Sequence, residues 1–146
     1  MEIQDRLLHN QIGILSIRDF REEDYQDFVK WYKTIKKAKG NYPSYEQLST
    51  IGYVVEHDNI KVCMGFLYIT NSNIALISFV IANKEAPSRI RKEALKKLLT
   101  TLEQEATNND YDMVMILTNN PFFSKSLTEV EYLKGNSPHI EHIKIL

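Results

Sequence analysis

The sequence predicts an α/β fold with a mixed sheet, an antiparallel meander joined to one parallel β-α-β crossover. Three observations predict it. Apolar, branched-rich runs follow one another over residues 52–57, 60–70 and 74–82, separated only by Asp58-Asn59 and by Asn71-Ser72-Asn73. Asn and Asp clusters between such runs are hairpin signals. A helical pattern then begins after Pro87, and another apolar run, "MVMILT", follows it. Strand, helix and strand in that order make a right-handed crossover whose two strands lie parallel. At 146 residues and 43% hydrophobic content, the chain reads as one domain over residues 1–146 with room for a sizeable core.

The first strand is "IGILSIRDF", Ile12 to Phe20, short and rich in branched residues. "REEDYQDFVKWYKTIKKA", residues 21–38, follows as a helix, with Tyr25, Phe28, Val29, Tyr32 and Ile35 at helical spacing. Acidic residues at its start and lysines at its end complement the helix dipole. "GNYPS" breaks the chain, and Ser44 with Gln47 forms a capping-box pattern that opens a short second helix, "YEQLST". The three meander strands come next. The crossover helix then places Ile90, Ala94, Leu95, Leu98, Leu102 and Ala106 on one face. "MVMILT" is a continuous apolar run, as in a strand covered on both faces. "PFFSKSLTEV" starts a short helix at a proline, and "EYLKG" and "HIEHIKIL" close the chain as two strands. The predicted order is β-α-α-β-β-β-α-β-α-β-β.

Composition narrows the function classes. A formal net charge of -1 argues against a protein that holds nucleic acid by bulk positive charge and leaves room only for a local basic patch. The single cysteine, Cys63, forms no intramolecular disulfide, fits a reducing compartment and, inside an apolar run, reads as a buried inert thiol. No segment approaches the roughly 20 apolar residues of a membrane span, and "MEIQDRLLHNQ" lacks a signal-peptide core. The expectation is a soluble, cytoplasmic protein. His139 and His142 form H-x-x-H, which on a strand points to opposite faces, so no metal site is expected. His57 beside Glu56 reads as solvated.

The helix after Pro87 opens with Arg89, Arg91 and Lys92. Cations at a helix N-terminus oppose the dipole by a few tenths of a kcal/mol each. A bound anion at that point would reverse the sign, and a sheet that changes from antiparallel to parallel there is a natural ligand site. The alternative is a solvated basic face, since five of the six charged residues between Arg89 and Lys97 are basic.

On these residues the sequence resembles the GNAT superfamily of acyl-CoA-dependent N-acyltransferases. "SIRDFREEDYQDFVKWY" is similar to the family's opening strand and helix. "FVIANKEAPSRIRKEALKKLL" sits where the family has its coenzyme-binding strand, loop and helix, and "NPFFSKSLTEVEYLKG" has the spacing of its late motif. "LSTIGYVVE", "YITNSNIALISFVIAN" and "HIEHIKIL" resemble GNAT-type proteins encoded by bacteriophages, which would put this chain in the host cytoplasm.

The resemblance implies acetyl-CoA as acyl donor and a small-molecule or peptide amine as acceptor. It implies that Val80, Ile81 and Ala82 hold the pantetheine arm, with one N–H at the developing oxyanion. Ser88, Arg89, Ile90, Arg91 and Lys92 would hold the pyrophosphate. Asn120 either contacts the coenzyme or only caps the helix after it. Trp31, Tyr32, Tyr42 and Tyr45 stand where the family walls its acceptor pocket, or else Tyr32 is core and the other three only cover the surface. Ser78 faces either the acyl site or a backbone partner in the core. Pairing through "HIEHIKIL" would make a homodimer.

The sequence departs from the family in two places. From Arg89, Ala94 fits the family's R-x-x-G-x-G/A pyrophosphate loop but Lys92 stands at its first glycine position, and Leu127 stands where many members have a proton-donating tyrosine. Two further readings follow, a GNAT-fold protein that binds without catalysing and an enzyme that modifies a nucleobase or nucleic acid.

Overall fold

The computed structural model describes residues 13–35, 42–118, 120–135 and 142–146. Ile12, residues 36–38 of the predicted first helix, residues 40–41 of the break and residues 139–141 with His139 lie outside the described residues. The chain divides into two compact units, Met1–Met115 and Ile116–Leu146.

The first unit is built on β1 (Leu15–Asp19), α1 (Tyr25–Lys33), β2 (Ile51–His57), β3 (Ile60–Tyr68), β4 (Ile74–Ala82) and α2 (Ser88–Asn108). With β5 (Met113–Ile116) the strands form one sheet in the order β1-β2-β3-β4-β5, in which all neighbours but β4 and β5 are antiparallel. This is the predicted meander and crossover. The β2–β3 turn uses Asp58 and Asn59 at φ 50° and 66°. Both residues tolerate the left-handed region, which a two-residue hairpin turn with native twist requires.

The two helices pack on opposite faces of the sheet. Phe28 and Trp31 of α1 join Leu48, Val54, Met64, Phe66 and Ile81 in one buried apolar cluster. On the other face, α2 buries Ile90, Ala94, Leu98, Leu99, Leu102 and Ala106. Leu99 takes the place predicted for Leu95, which is half-buried. Gly65 makes this close packing possible, because a Cβ there would stand 3.0 Å from Leu98 Cδ2 and 3.2 Å from Val80 Cγ2.

Two predicted helical segments are shorter than expected. Glu22–Asp24 wind as a 3-10 turn before α1, because the buried Asp24 carboxylate reaches back to accept the Arg21 N–H at 2.8 Å. The Ser44 capping box forms, with the Ser44 N–H donating to Gln47 Oε1 at 2.8 Å. It opens only a single 3-10 turn, Tyr45–Gln47, since Leu48 is already extended and leads into β2.

The second unit holds α3 (Pro121–Glu129). Asn120 caps it, accepting the Phe123 N–H at 3.3 Å, and Glu131 at φ 72° closes it while the Tyr132 N–H donates to the Leu127 carbonyl at 3.0 Å. That closure overturns the strand predicted over "EYLKG", whose residues end a helix instead. The described part of "HIEHIKIL", residues 142–146, is also irregular, with Ile143 and Ile145 exposed. A single segment without a neighbouring ladder has no partners for its backbone groups. The pairing of copies through that strand therefore has no strand to rest on among the described residues.

Cys63 is buried, and burial pushes its thiol up to about 12. The thiolate is the nucleophile, so the native protein is expected to resist iodoacetamide at neutral pH and to alkylate fully once unfolded in urea. Stoichiometric labelling of the folded protein, read by mass spectrometry, would refute this.

Candidate functional site

The site begins with an irregularity in β4. Met64 pairs with Ile81 and Phe66 with Ser78, so Gly65 alone faces both Phe79 and Val80. This is a β-bulge, and its first residue, Phe79, has φ 52°. A bulky residue in the left-handed region is a backbone outlier, held in place by its surroundings and concentrated at functional sites. Those surroundings are visible here. The Phe79 ring packs against the apolar cluster under α1 and meets the Tyr68 ring edge-on at 6.0 Å.

Beyond the bulge, β4 outruns its parallel neighbour. The Asp112 N–H donates to the Asn73 carbonyl at 3.0 Å, which sets the start of β5 beside the start of β4. β5 has four residues against nine in β4. The Val80–Ala82 edge on that side therefore extends past the end of β5 with no strand beside it among the described residues. Free N–H and C=O groups of this kind accept an extended ligand as an added strand.

The loop after β4 is shaped by Asn83. Its side chain accepts the Glu85 N–H at 3.0 Å and donates to the Lys61 carbonyl at 3.2 Å. The chain then enters α2 through Pro87, which supplies no side-chain cap, and the first turn holds no acidic residue. An uncapped helix start leaves donor N–H groups pointing outward. Arg91 lies in this turn, and its Nε is buried with no hydrogen-bond partner among the described residues. A buried guanidinium nitrogen left without an acceptor is costly unless something absent from the apo chain supplies one. Ser88, Arg89 and Lys92 are exposed around it.

Of the remaining predicted residues, Ser78 adjoins the bulge and the others are dispersed. Ser78 pairs with Phe66 on the α1 face of β4. Trp31 is a core residue, 5% exposed. Tyr42 is half-buried with its ring 6.2 Å from that of Tyr32, and Tyr45 is exposed and stacked at 6.3 Å on Phe20. Asn120 belongs to the second unit and caps α3. Leu127, at the family's tyrosine position, is buried. His57 lies 3.5 Å from Asp58 beside the hairpin turn. Among the described residues no group of three His, Cys, Asp or Glu is arranged to hold a metal ion, and no helix is long and apolar enough to cross a membrane.

A separate cavity of about 380 Å³ opens past the end of β4, lined by Trp31, Thr34, Lys61, Asn83 and Lys84 among others. Its cations are already engaged. Lys61 contacts Asp24 and Asp27 at 2.7 and 2.9 Å, and Lys84 donates to the Thr34 carbonyl at 3.0 Å at the end of α1.

The bulge itself was not predicted. Its only trace in the sequence is Gly65 in mid-strand, a residue that marks a bulge or a close backbone approach.

No family model matches the chain, and no curated protein matches it in sequence. Solved structures do match. The aminoglycoside acetyltransferase AAC(6')-Iy, in complex with a bisubstrate analogue of coenzyme A and acetylneamine, is 12% identical with a TM-score of 0.64, covering 91% of this chain and 100% of that one. N-acetylglutamate synthase from Neisseria gonorrhoeae, complexed with coenzyme A and N-acetyl-glutamate, is 16% identical with a TM-score of 0.63 over 77% of this chain. This chain spans only 28% of that synthase. A transcriptional regulator from Bacillus halodurans is 12% identical with a TM-score of 0.69, covering 89% and 100%. None of these comparisons supports a phage source. With its antiparallel meander and its single parallel crossover, the chain has the GNAT fold.

Proposed function

We propose that the protein is an acyl-CoA-dependent N-acyltransferase that uses acetyl-CoA and transfers the acetyl group to a small-molecule or peptide amine. The observation that carries this reading is the α2 start, uncapped, free of acidic residues and holding the partnerless Arg91 Nε. A diphosphate satisfies all three features. The N–H groups of residues 88–90 and the dipole bind its oxygens, and Arg89, Arg91 and Lys92 add charge-assisted contacts. These cations stand in for the close backbone approach that loop glycines would give.

The rest of the site fits the same donor. The unpaired Val80–Ala82 edge offers strand-like hydrogen bonds to an amide-bearing arm. An N–H at the bulge would stabilise a developing oxyanion. Acetyl-CoA supplies the activated thioester, and this chain's residues bind, orient and polarise it. The AAC(6')-Iy and N-acetylglutamate synthase structures hold coenzyme A or its analogue, which supports this donor.

Titration calorimetry with acetyl-CoA tests the reading. Binding in the micromolar range is expected, weakened at least tenfold in the Arg89→Ala, Arg91→Ala double variant, since one charge-assisted hydrogen bond contributes about 1.5–3 kcal/mol. No binding up to millimolar concentration would overturn it. A second reading, a binding protein without catalysis, is favoured by one observation, the buried Leu127 at the tyrosine position. It predicts acetyl-CoA binding with no acetyl transfer to any amine.

A further inference from the structure

Acyl transfer needs a group that manages the proton lost by the amine and gained by sulfur. Resting on the acyltransferase reading, we propose that the Ser78 hydroxyl is that group, a shuttle between acceptor nitrogen and departing thiolate.

The bulge is what gives Ser78 its setting. In a regular strand Ser78 and Phe79 would face opposite ways. Here Ser78 lies on the α1 face opposite Phe66, and Phe79 packs into the cluster on that same face. Val80 turns to the α2 side, with its Cγ2 3.2 Å from where a Gly65 Cβ would be. Ile81 then returns to the α1 cluster. One extra residue thus sets a hydroxyl and an aromatic ring side by side at the point where the backbone is irregular.

Ser78 is half-buried, and its hydroxyl makes no hydrogen bond to any described residue. Its side chain is only partly covered, so the hydroxyl is not sealed in the core. Serines inside strands and helices commonly bond to nearby backbone, and this one does not. Its cross-strand partner is Phe66 and its chain neighbour Phe79, whose ring meets that of Tyr68. The Tyr68 hydroxyl is committed, donating to the Gln47 carbonyl at 2.9 Å. Ser78 is therefore the free polar side chain of this face at the bulge.

The step balances with one hydroxyl. The amine nitrogen bonds to the acyl carbon while the bulge N–H holds the carbonyl oxygen. As the carbon–sulfur bond breaks, Ser78 Oγ takes a proton from nitrogen and passes its own proton to sulfur. Amide and thiol form, and the serine is restored. A hydroxyl is too weak a base to deprotonate an ammonium, so the acceptor must arrive as the neutral amine. The apolar rings around Ser78 favour that form.

The test uses acetyl-CoA with hydroxylamine, a small neutral nucleophile that needs no shaped acceptor pocket, and reads thiol release. Ser78→Ala should lower kcat by about 100-fold with the acetyl-CoA Kd unchanged, and Ser78→Thr should restore most of it. A second readout needs no turnover. The thiol pKa of bound coenzyme A, followed by thiolate ultraviolet absorbance, should rise by about 1 in Ser78→Ala, because a donor to the thiolate is lost. A Ser78→Ala variant with kcat within twofold of the parent and an unmoved thiol pKa overturns the proposal. So does a parent protein that binds acetyl-CoA yet releases no thiol above the uncatalysed rate. A parent that binds no acetyl-CoA sinks the acyltransferase reading itself.

Discussion

Replacing Asp24 by alanine is expected to destabilise the first unit by about 3 kcal/mol, measured as a drop in the urea midpoint at neutral pH. Asp24 is 1% exposed, the buried charge among the described residues. Arg18 grips it with both terminal nitrogens, at 2.8 and 2.9 Å, Lys61 reaches it at 2.7 Å, and the Arg21 N–H donates at 2.8 Å. The carboxylate therefore ties β1, the turn before α1, and β3 together. Its removal leaves two cations facing each other across a vacated site. Arg18 keeps Glu56 and Lys61 keeps Asp27, and both cations are about a quarter exposed, which holds the cost near the lower end for a broken buried pair. With a typical domain stable by 5–15 kcal/mol, this is a large fraction. A midpoint shift worth less than 1 kcal/mol would show that water replaces the carboxylate without penalty.

The same group sets an acid limit. Burial alone would raise the Asp24 pKa, but Arg18, Lys61 and the Arg21 N–H outweigh it and hold the carboxyl well below the usual carboxylate range. A depressed folded pKa stabilises above the unfolded value of about 3.9. That contribution is lost as pH falls below it toward the folded value. Stability should therefore fall steeply below about pH 4 in the parent and less steeply in Asp24→Asn, because the variant has no proton to take up there.

The sheet was legible because its signals are local. Asp58-Asn59 announces a tight hairpin, and Ile90, Ala94, Leu98 and Leu102 announce a buried helical face. Each can be read within a few residues of itself. The Arg18–Asp24–Lys61 tie was not legible, since it joins residues up to 43 positions apart that look like ordinary surface charges. Nor was the Tyr53 phenol donating to Glu105 at 2.6 Å, across 52 positions between β2 and α2. The candidate site divides in the same way. The basic helix start is a pattern within one segment. The bulge depends on how β4 meets β3, and Ser78 gains its setting only through that pairing.

The strands expected over "EYLKG" and over the described part of "HIEHIKIL" failed for a related reason. Alternating apolar residues specify a strand only where a neighbour supplies the ladder, and the Glu131 turn that ends α3 removes the nearest one.

Gly52→Ala should cost about 3 kcal/mol, although it adds a single methyl group to a strand residue. A Cβ at Gly52 would stand 2.4 Å from Phe66 Cδ1, 2.6 Å from Cε1 and 3.3 Å from Phe20 Cβ. One edge of the ring lies against the bare backbone of β2, and it has nowhere to go. Phe66 is fully buried, edge-on to Phe20 at 4.9 Å and to Phe28 at 5.9 Å. It is also the residue opposite Ser78, so a ring pushed off β2 moves toward the bulge. The variant should then lose thiol release by more than its folded fraction explains, while acetyl-CoA binding at the α2 start stays within about twofold. The double variant Gly52→Ala, Phe66→Leu isolates the cause. A smaller side chain relieves the clash, so the two substitutions should be less than additive by 1 kcal/mol or more. Simple additivity would mean that the glycine serves the backbone of β2 and not the ring above it, and the link from β2 through Phe66 to Ser78 would be broken.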